Sequence, residues 1–250
     1  MKSEFSRESY PQKPILEISE LHKRYNEGKS NEVHALKGVN LTVNQGDMMA
    51  IMGQSGCGKT TLLNMIGHLD KRSSGRIVIG DVDTSRLSDS KMTAFRRDNI
   101  GFIFQLFNLF PFLTAVENVE TPLLLRGLNS GLAREQAKML LRELGMGDRL
   151  YHLPNELSGG QQQRIAVARA LINDPAIILG DEPTGDLDSK TSADVMTLFR
   201  RINRISKQTF VLVTHSRWIA TQCDYIVHMT DGKISRIEQG PFTSLLEMRK

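Results

Sequence analysis

Short apolar runs, separated by polar and glycine-rich turns, dominate the pattern of this chain. Three of them have the length of strands buried on both faces of a parallel sheet. They span residues 47–52, 175–180 and 210–213. Apolar residues at helical spacing mark 61–66, 132–144 and 188–206. In the last of these segments, one side carries Val195, Phe199, Ile202 and Ile205. The pattern predicts parallel strands flanked by amphipathic helices.

The two ends of the chain have patterns of their own. Residues 15–43 alternate in short strands, which predicts an antiparallel β-layer, and Asp231-Gly232 between two apolar runs predicts a terminal β-hairpin. Residues 1–14 are polar and lack the apolar stretch of a signal peptide, so we expect a flexible N-terminal extension. Residues 238–250 are expected to form a C-terminal tail. No uninterrupted apolar run reaches the roughly 18 residues that a membrane-spanning helix needs.

Composition narrows the class of protein only a little. The chain has 250 residues, 40% of them hydrophobic, which is ample for a core. The net charge of +4 comes from 32 basic and 28 acidic residues that are mixed along the chain, so it does not indicate a nucleic-acid partner. Two cysteines, Cys57 and Cys223, do not suggest a disulfide framework and fit a reducing compartment.

A glycine-rich turn joins the first predicted strand to the first predicted helix. It comprises Gly53, Gln54, Ser55, Gly56, Cys57, Gly58, Lys59 and Thr60, and Thr61 follows it. Such a turn lets backbone N–H groups approach phosphate oxygens at a helix N-terminus. Lys59 would reach the β- and γ-phosphates of a nucleotide, and Thr60 would place its hydroxyl on Mg²⁺. The alternative is a glycine-rich turn that carries a solvated lysine.

Cys57 occupies a special position inside this turn. A helix N-terminus favours the thiolate, so the sequence predicts an unusually reactive cysteine whose alkylation blocks nucleotide binding. The alternative is that position 57 contributes only its backbone.

Two adjacent carboxylates follow the second predicted strand. Ligands of open α/β sheets bind at the carboxyl ends of the strands, which is where Asp181 and Glu182 lie. Neighbouring side chains on a strand end point in different directions, so Asp181 could hold Mg²⁺ through water while Glu182 deprotonates the attacking water. Phosphoryl transfer requires little beyond such positioning and charge stabilisation. The alternative is an acid pair that caps a helix.

A second glycine-rich turn opens a helix about a hundred residues after the first. Ser158 and Gln161 have the spacing of a capping box. Capping does not explain Gly159 and Gly160 in the first turn, each of which costs about 1 kcal/mol relative to alanine. Close approach of a phosphate to the backbone would explain them.

The order of these motifs resembles that of the ATP-binding cassette (ABC) ATPases, over about residues 15–237. The resemblance implies an α/β P-loop NTPase fold with a mostly parallel core sheet, an antiparallel β-layer and a helical subdomain inserted at about 106–164. It also implies a Mg²⁺-dependent ATPase in which two copies of the chain, or one copy and a paralogue, enclose two ATP molecules. Residues 158–161 of each copy would complete the site of the other.

Four further residues take roles that the resemblance implies. Tyr25 would stack on adenine, although an isolated tyrosine is more often a half-buried strand residue. Gln105 would touch Mg²⁺ and link the core to the helical subdomain. His215 would sense the γ-phosphate. Asp188 lies in a turn that would cross the dimer interface, and it can also cap the following helix.

The same resemblance implies a membrane partner. Five apolar residues crowd the segment after Gln105, namely Phe107, Leu109, Phe110, Phe112 and Leu113. They either form a local core of the helical subdomain or line a groove, near Gln105–Leu113, for a cytoplasmic helix of a separate transmembrane permease subunit. The chain would then lie on the cytoplasmic face of the plasma (inner) membrane as a peripheral subunit.

Longer stretches resemble one branch of these ATPases, which includes lipoprotein-release, macrolide-export and cell-division subunits. They are residues 33–39, 104–109 and 185–191. Members of this branch drive export, lipoprotein extraction or mechanotransmission. The alternative is a soluble ABC-type ATPase of DNA repair or translation, but the long coiled-coil insertion of such proteins is not visible between Lys59 and Ser158. We therefore expect no nucleic-acid partner.

Overall fold

Two β-sheets flanked by helices form the fold of residues 13–241, the part of the chain that the computed structural model describes. The strands are β1 (Pro14–Tyr25), β2 (Val33–Asn44), β3 (Met48–Gly53), β4 (Ser74–Ile79), β5 (Val82–Asp83), β6 (Ile100–Phe104), β7 (Ile177–Asp181), β8 (Thr209–Val213), β9 (Tyr225–Thr230) and β10 (Lys233–Gln239). The helices are α1 (Lys59–Ile66), α2 (Asp89–Asn99), α3 (Ala115–Leu125), α4 (Ser130–Glu143), α5 (Gly159–Leu171), α6 (Ser189–Ser206) and α7 (Arg217–Thr221).

The larger sheet is mostly parallel, as the apolar runs predicted. Its strand order is β10-β9-β3-β8-β7-β6, and only the β9–β10 pair is antiparallel. Ala50, Ile178 and Val211 are completely buried in it, because helices or the second sheet cover both faces. The strands β3, β7 and β8 end together at one edge, and this edge carries Gly53 and Asp181.

The smaller sheet is the predicted antiparallel β-layer, in the order β2-β1-β4-β5. Its first two strands are 12 residues long, rather than short as predicted, and β-bulges interrupt their pairing. One buried cluster joins Leu16 and Leu41 of this layer to Leu62 of α1 and Ile51 of β3. The layer and α1 therefore cover the same face of the parallel sheet.

The helical subdomain shares its core with the opposite face of the parallel sheet. A single buried cluster joins Val116 of α3 and Leu141 of α4 to Ile165 of α5 and to Ile178 and Phe210 of the sheet. The predicted boundary at residue 164 falls inside α5, which continues to Leu171. The insertion is therefore not a separately packed unit.

Three smaller features differ from the sequence pattern. Ile205 is 72% exposed in the last turn of α6, while Val195 and Phe199 of the same helix are buried. Strand β10 continues to Gln239, two residues into the predicted tail. The sequence pattern did not predict helix α2. None of its residues is buried, so the helix has no apolar stripe that would reveal it.

The ends of the chain complete the comparison. The predictions for residues 1–12 and 242–250 lie outside the described residues. The terminal hairpin is confirmed, with positive φ of 49° and 79° at Asp231 and Gly232, as a two-residue type I′ turn requires. In the described part of the chain, none of the helices has the length and apolar character needed to cross a membrane.

Candidate functional site

The glycine-rich turn lies between β3 and α1, as predicted, and its glycines are required sterically. Gly56 and Gly58 have φ of 80° and 104°, a region that side chains disfavour. A Cβ on Gly53 would lie 2.4 Å from the carbonyl oxygen of Met229, and one on Gly58 would lie 2.7 Å from that of Ala35. The first and third glycines thus let neighbouring backbone pack against the loop.

The Lys59 side chain folds back onto the backbone of this loop. Its Nζ donates to the carbonyl oxygens of Gly53 and Gln54 at 2.8 and 2.9 Å. The first turn of α1 contains no acidic residue, so the positive end of the helix dipole adds to the ammonium charge. The loop is therefore an electropositive cradle for an anion.

Thr60 and Asp181 meet at the sheet edge next to the loop. The Thr60 hydroxyl donates to Oδ1 of Asp181 at 3.3 Å. Burial raises the pKa of Asp181, and the negative charge of Glu182 raises it further, while Thr60 and Lys59 oppose the rise. A cation between the two oxygens would relieve this cost. A hydroxyl and one carboxylate, completed by water and phosphate oxygens, are the ligands typical of Mg²⁺.

Glu182 and His215 form a pair on the same edge. Oε1 of Glu182 lies 2.9 Å from Nδ1 of His215, and the Glu182 side chain is 18% exposed whereas that of His215 is 75% exposed. Glu182 has a φ of 45°, which a hydrogen bond from its N–H to the carbonyl of Val213 stabilises. Strained backbone of this kind fixes a side chain's direction.

A cavity of about 530 Å³ brings these groups together. The predicted residues among its lining are Gly53, Ser55, Gly56, Gly58, Lys59, Thr60, Thr61, Asp181, Glu182 and His215. Sequence reasoning missed Val33, His34, Ala35, Lys37, Val213, Asp231 and Gly232. The start of β2 and the β9–β10 turn reach the cavity only through the tertiary fold, where Gly232 N–H donates to the Cys57 carbonyl at 3.0 Å. The Asp-Gly turn was the only available signal.

Nine predicted residues do not line this cavity, namely Tyr25, Gln54, Cys57, Gln105, Ser158, Gly159, Gly160, Gln161 and Asp188. Tyr25 is half-buried at the end of β1, with the Lys23 ammonium 4.6 Å from the centre of its ring. Gln105 directs its amide to Oδ1 of Asp186 at 3.0 Å rather than to Thr60 and Asp181. Their contacts with adenine and with Mg²⁺ stay predictions.

The second glycine-rich turn also lies outside the cavity. Ser158 caps α5 in the predicted capping box, and its N–H donates to Oε1 of Gln161 at 3.0 Å. A Cβ on Gly160 would lie 2.4 Å from the methyl group of Thr191, and one on Gly159 would lie 3.1 Å from Leu187. Close packing against α6 therefore favours glycine at position 160 independently of any phosphate, which is a second reason for the glycine beside the one that the sequence suggested.

Asp188 has the capping role that its sequence position predicted. Its Oδ1 accepts the backbone N–H groups of Lys190 and Thr191, both at 3.0 Å, at the start of α6. The Thr191 hydroxyl, which donates to the same carboxylate, is the main reason that the pKa of Asp188 is lowered. The first turn of α6, which carries Thr191, is thereby held next to Gly160.

The reactivity predicted for Cys57 is not supported by its environment. The thiol is only 8% exposed and packs within the buried cluster beneath the antiparallel layer. Cys223 is completely buried, which raises the pKa of its thiol to about 12. Position 57 therefore contributes its backbone to the loop.

We expect both thiols to react slowly with iodoacetamide in the folded protein and rapidly after unfolding, since only an accessible thiolate is nucleophilic. Mass spectrometry of each cysteine peptide over time measures this directly. Rapid labelling of Cys57 alone, slowed by bound nucleotide, would instead support a reactive Cys57 at the nucleotide site.

A long segment of the chain, which contains the phosphate loop and both carboxylates of the cavity, matches a known protein family. Residues 36–185 match the family model described as ABC transporter. This chain belongs to the ABC transporter family. Membership makes it an ATP-binding, Mg²⁺-dependent ATPase. The predicted fold, with its parallel core sheet, antiparallel layer and helical subdomain, is confirmed for this member of the family.

Similar ABC proteins include subunits with named systems. The chain is 45% identical over 220 residues to the lipoprotein-releasing system ATP-binding protein LolD of Geobacter metallireducens, covering 88% of this chain and 97% of that one. It is 45% identical over 221 residues to the macrolide export ATP-binding/permease protein MacB of Hyphomonas neptunium, covering 88% of this chain but 34% of that one. These similarities confirm the predicted branch of the family.

A solved ABC cassette shows the same fold at similar identity. The post-hydrolysis dimer of MJ0796 from Methanocaldococcus jannaschii, bound to ADP and Pi, aligns with a TM-score of 0.81 and 43% identity. The alignment covers 90% of this chain and 98% of that one.

Proposed function

We propose that two copies of this chain enclose ATP and use its hydrolysis to drive a separate transmembrane permease at the cytoplasmic face of the inner membrane. The convergence of Lys59, Thr60, Asp181, Glu182 and His215 on one cavity carries this proposal. One half of a nucleotide site is thus formed by a single chain. The absence of residues 158–161 from the same cavity supports a second half that comes from another copy.

Each residue of the cavity has a role that its contacts support. Lys59, at present bound to two loop carbonyls, would exchange them for phosphate oxygens. Thr60 and Asp181 would hold Mg²⁺, which neutralises phosphate charge. Glu182 would take the proton of the attacking water, and His215 would fix the direction of its carboxylate and contact the γ-phosphate.

The second half-site is the N-terminus of α5 in the partner copy. Its first N–H groups are open to an anion once Ser158 and Gln161 have satisfied each other, and the helix dipole favours negative charge there. The dimeric state of the MJ0796 cassette supports this arrangement.

The docking site for the permease is an apolar groove beside the helical subdomain. This docking groove has a volume of about 530 Å³ and is lined by Phe102 and Phe104 of β6, Pro122 and Leu125 of α3, and Leu69. The two phenylalanine rings are stacked, with centroids 5.6 Å apart. Leu69 and Leu125 are 46% and 69% exposed, and exposed apolar side chains that share one groove are typical of an interaction surface.

The loop of residues 105–114 contributes Asn108 to the lining of the docking groove, and hydrogen bonds from α5 and α3 hold the loop in place. Arg169 of α5 donates to the carbonyl oxygens of Phe107 and Asn108 at 2.8 and 2.6 Å. Buried Asn118 accepts the Phe110 N–H at 2.8 Å and donates to the Leu113 carbonyl at 2.9 Å. The loop is therefore rigid although it carries exposed apolar residues.

The apolar residues of this loop divide between the two predicted roles. Leu109 packs against the core of the helical subdomain and Phe107 is half-buried. Leu106, Phe110 and Phe112 are 74%, 50% and 90% exposed. The first pair stabilises the loop, and the exposed three supply a surface for the permease helix.

Replacing Phe112 with aspartate is expected to prevent association with the permease while leaving the isolated chain folded and able to bind ATP. The side chain makes little contact within the chain, whereas an unpaired charge in an apolar interface costs several kcal/mol. The measurement is co-purification of the tagged chain with a membrane protein from its own host, identified by mass spectrometry, together with the melting temperature.

Ile205→Asp is the matched control, because Ile205 is a similarly exposed apolar residue on α6, outside the loop and the groove. It should retain the permease. Equal loss in both variants would argue against a specific docking loop. A collapsed melting temperature for Phe112→Asp would show that Phe112 belongs to the subdomain core.

The similar proteins of this branch suggest what work the complex does with the energy of ATP hydrolysis. LolD belongs by name to a lipoprotein-releasing system, and MacB joins an ATP-binding part to a permease in one longer protein. We infer that the permease of this chain acts on an extracytoplasmic or membrane-embedded cargo, by export, extraction or mechanotransmission. Reconstitution with the co-purified permease in vesicles, with ATP added on the outside, tests whether turnover rises with the candidate cargo.

A further inference from the structure

A second polar cavity, of about 580 Å³, lies between the end of α1, the start of β4 and α2. All of its lining residues fall within 65–96, and none belongs to the ATP site. The cavity borders the docking groove, with which it shares Leu69, Thr93 and Arg96. Its size is within the range of cavities that hold small molecules.

The carboxylates that line this cavity are already paired with lysines. Asp89 is 3.1 Å from Nζ of Lys71. Asp70 is 2.8 Å from Nζ of Lys23, which reaches it from β1. The negative charges are therefore compensated before any ligand enters.

The two guanidinium groups that line the cavity have only carbonyl partners. Arg72 donates to the carbonyl oxygens of Gly75 and Ser85 at 3.0 and 2.9 Å, and Arg96 donates to that of His68 at 2.8 Å. Within residues 13–241, neither forms an ion pair with a carboxylate. A carbonyl oxygen does not neutralise a full charge, so the cavity carries a surplus of positive charge.

His68 lines the same cavity, and its side chain carries an unsatisfied polar atom. It has a left-handed φ of 52°, packs edge-on against Phe95, and its Nε2 is buried without a hydrogen-bond partner in the described structure. Buried polar atoms without partners are rare and costly. Burial, and then the charges of Arg72 and Arg96, lower the pKa of His68 to about 4.

We propose that this cavity binds a phosphate group, held by the guanidinium groups of Arg72 and Arg96 with Nε2 of His68 as a third donor. Guanidinium N–H groups match phosphate oxygens in geometry and charge. Such a ligand would compensate the positive charge and satisfy the buried nitrogen in one step. The phosphate belongs either to a small soluble molecule or to a lipid headgroup.

The test follows the His68 imidazole by NMR while inorganic phosphate is added to the full chain. Saturating ADP fills the ATP site beforehand, and His68→Gln identifies the resonance. A phosphate beside the imidazole should raise the pKa of His68 by about 1–3 pH units, since an opposite charge stabilises the protonated form. Sodium chloride at equal ionic strength should have a much smaller effect.

Two neighbouring arginines provide matched variants. Arg96→Gln should abolish the response to phosphate. Arg97→Gln removes the same charge one residue later but should keep the response, because Arg97 is paired with Asp98 at 2.8 Å and does not line the cavity. Equal responses in the Arg96→Gln and Arg97→Gln variants would overturn the proposal.

A second arm separates the two sources of phosphate. Phosphatidylglycerol vesicles are compared with phosphatidylcholine vesicles at equal lipid phosphate concentration, with the same His68 readout. A response to free phosphate supports a soluble ligand, and a response to phosphatidylglycerol alone supports a lipid headgroup. No response in either arm rejects the site.

Discussion

Replacing Glu182 with glutamine is expected to leave ATP bound but uncleaved, with turnover lowered by a factor of about 10²–10⁴, the usual cost of removing a general base. The amide keeps the size of the carboxylate and its hydrogen bond to His215 at 2.9 Å, but it cannot take a proton. Asp181 and Thr60 remain to hold the metal. Turnover is measured by phosphate release, and nucleotide affinity by calorimetry.

The same variant tests the shared site. Uncleaved ATP would persist between Lys59 of one copy and Ser158 of the other, so light scattering should show a monomer without nucleotide and a dimer with ATP. High salt should weaken this dimer, because charged contacts at its surface are screened. Glu238→Gln is the control, since Glu238 forms a comparable pair with His228 at 3.1 Å outside the cavity. Normal turnover in Glu182→Gln, or a monomer at saturating ATP, would contradict the mechanism.

Replacing Lys59 with alanine is expected to weaken ATP binding by about 10- to 100-fold, the equivalent of one charged hydrogen bond of roughly 1.5–3 kcal/mol, and to abolish hydrolysis. The folded loop should survive, because Gly53 lines the open cavity and Gln54 is exposed, so the two carbonyls that lose their donor can bind water. Calorimetry with ATP and a thermal melt separate loss of binding from loss of folding.

Lys13→Ala is the matched control for Lys59. Lys13 also forms a lysine contact, to Asp81 at 2.8 Å, but both side chains are mostly exposed and such pairs contribute little. Unchanged nucleotide affinity and turnover in Lys59→Ala would remove the phosphate loop from the mechanism.

The parts of the fold that sequence reasoning predicted are those that local pattern specifies. Buried parallel strands such as β7 are apolar until the residue at their carboxyl end, and Gly56 and Gly58 of the phosphate loop have φ values that side chains disfavour. Exposed α2 carries no apolar stripe, and the two-residue strand β5 is too short to show alternation. Neither leaves a pattern that could be read.

The residues of the candidate site also separate into those that the sequence predicts and those that only the tertiary fold reveals. Lys59, Asp181 and Glu182 follow directly from strand ends, so their positions could be deduced. His34 enters the cavity because a long antiparallel strand happens to start beside the loop, and only the assembled sheets reveal this. The burial of Cys57 was likewise invisible, because the direction of a side chain within a loop depends on what packs beneath it.

Helix α5 links the two ends of the proposed mechanism through one rigid body. Ser158 caps its first turn, and Arg169 near its last turn holds the loop at the docking groove. Its 13 residues span about 20 Å at 1.5 Å per residue. The side chains between the two ends are close-packed against the sheet, so the helix cannot bend without opening the core. In the proposed dimer, a displacement of the capped end by ATP in the opposite copy would therefore be transmitted along the helix to the loop beside the docking groove.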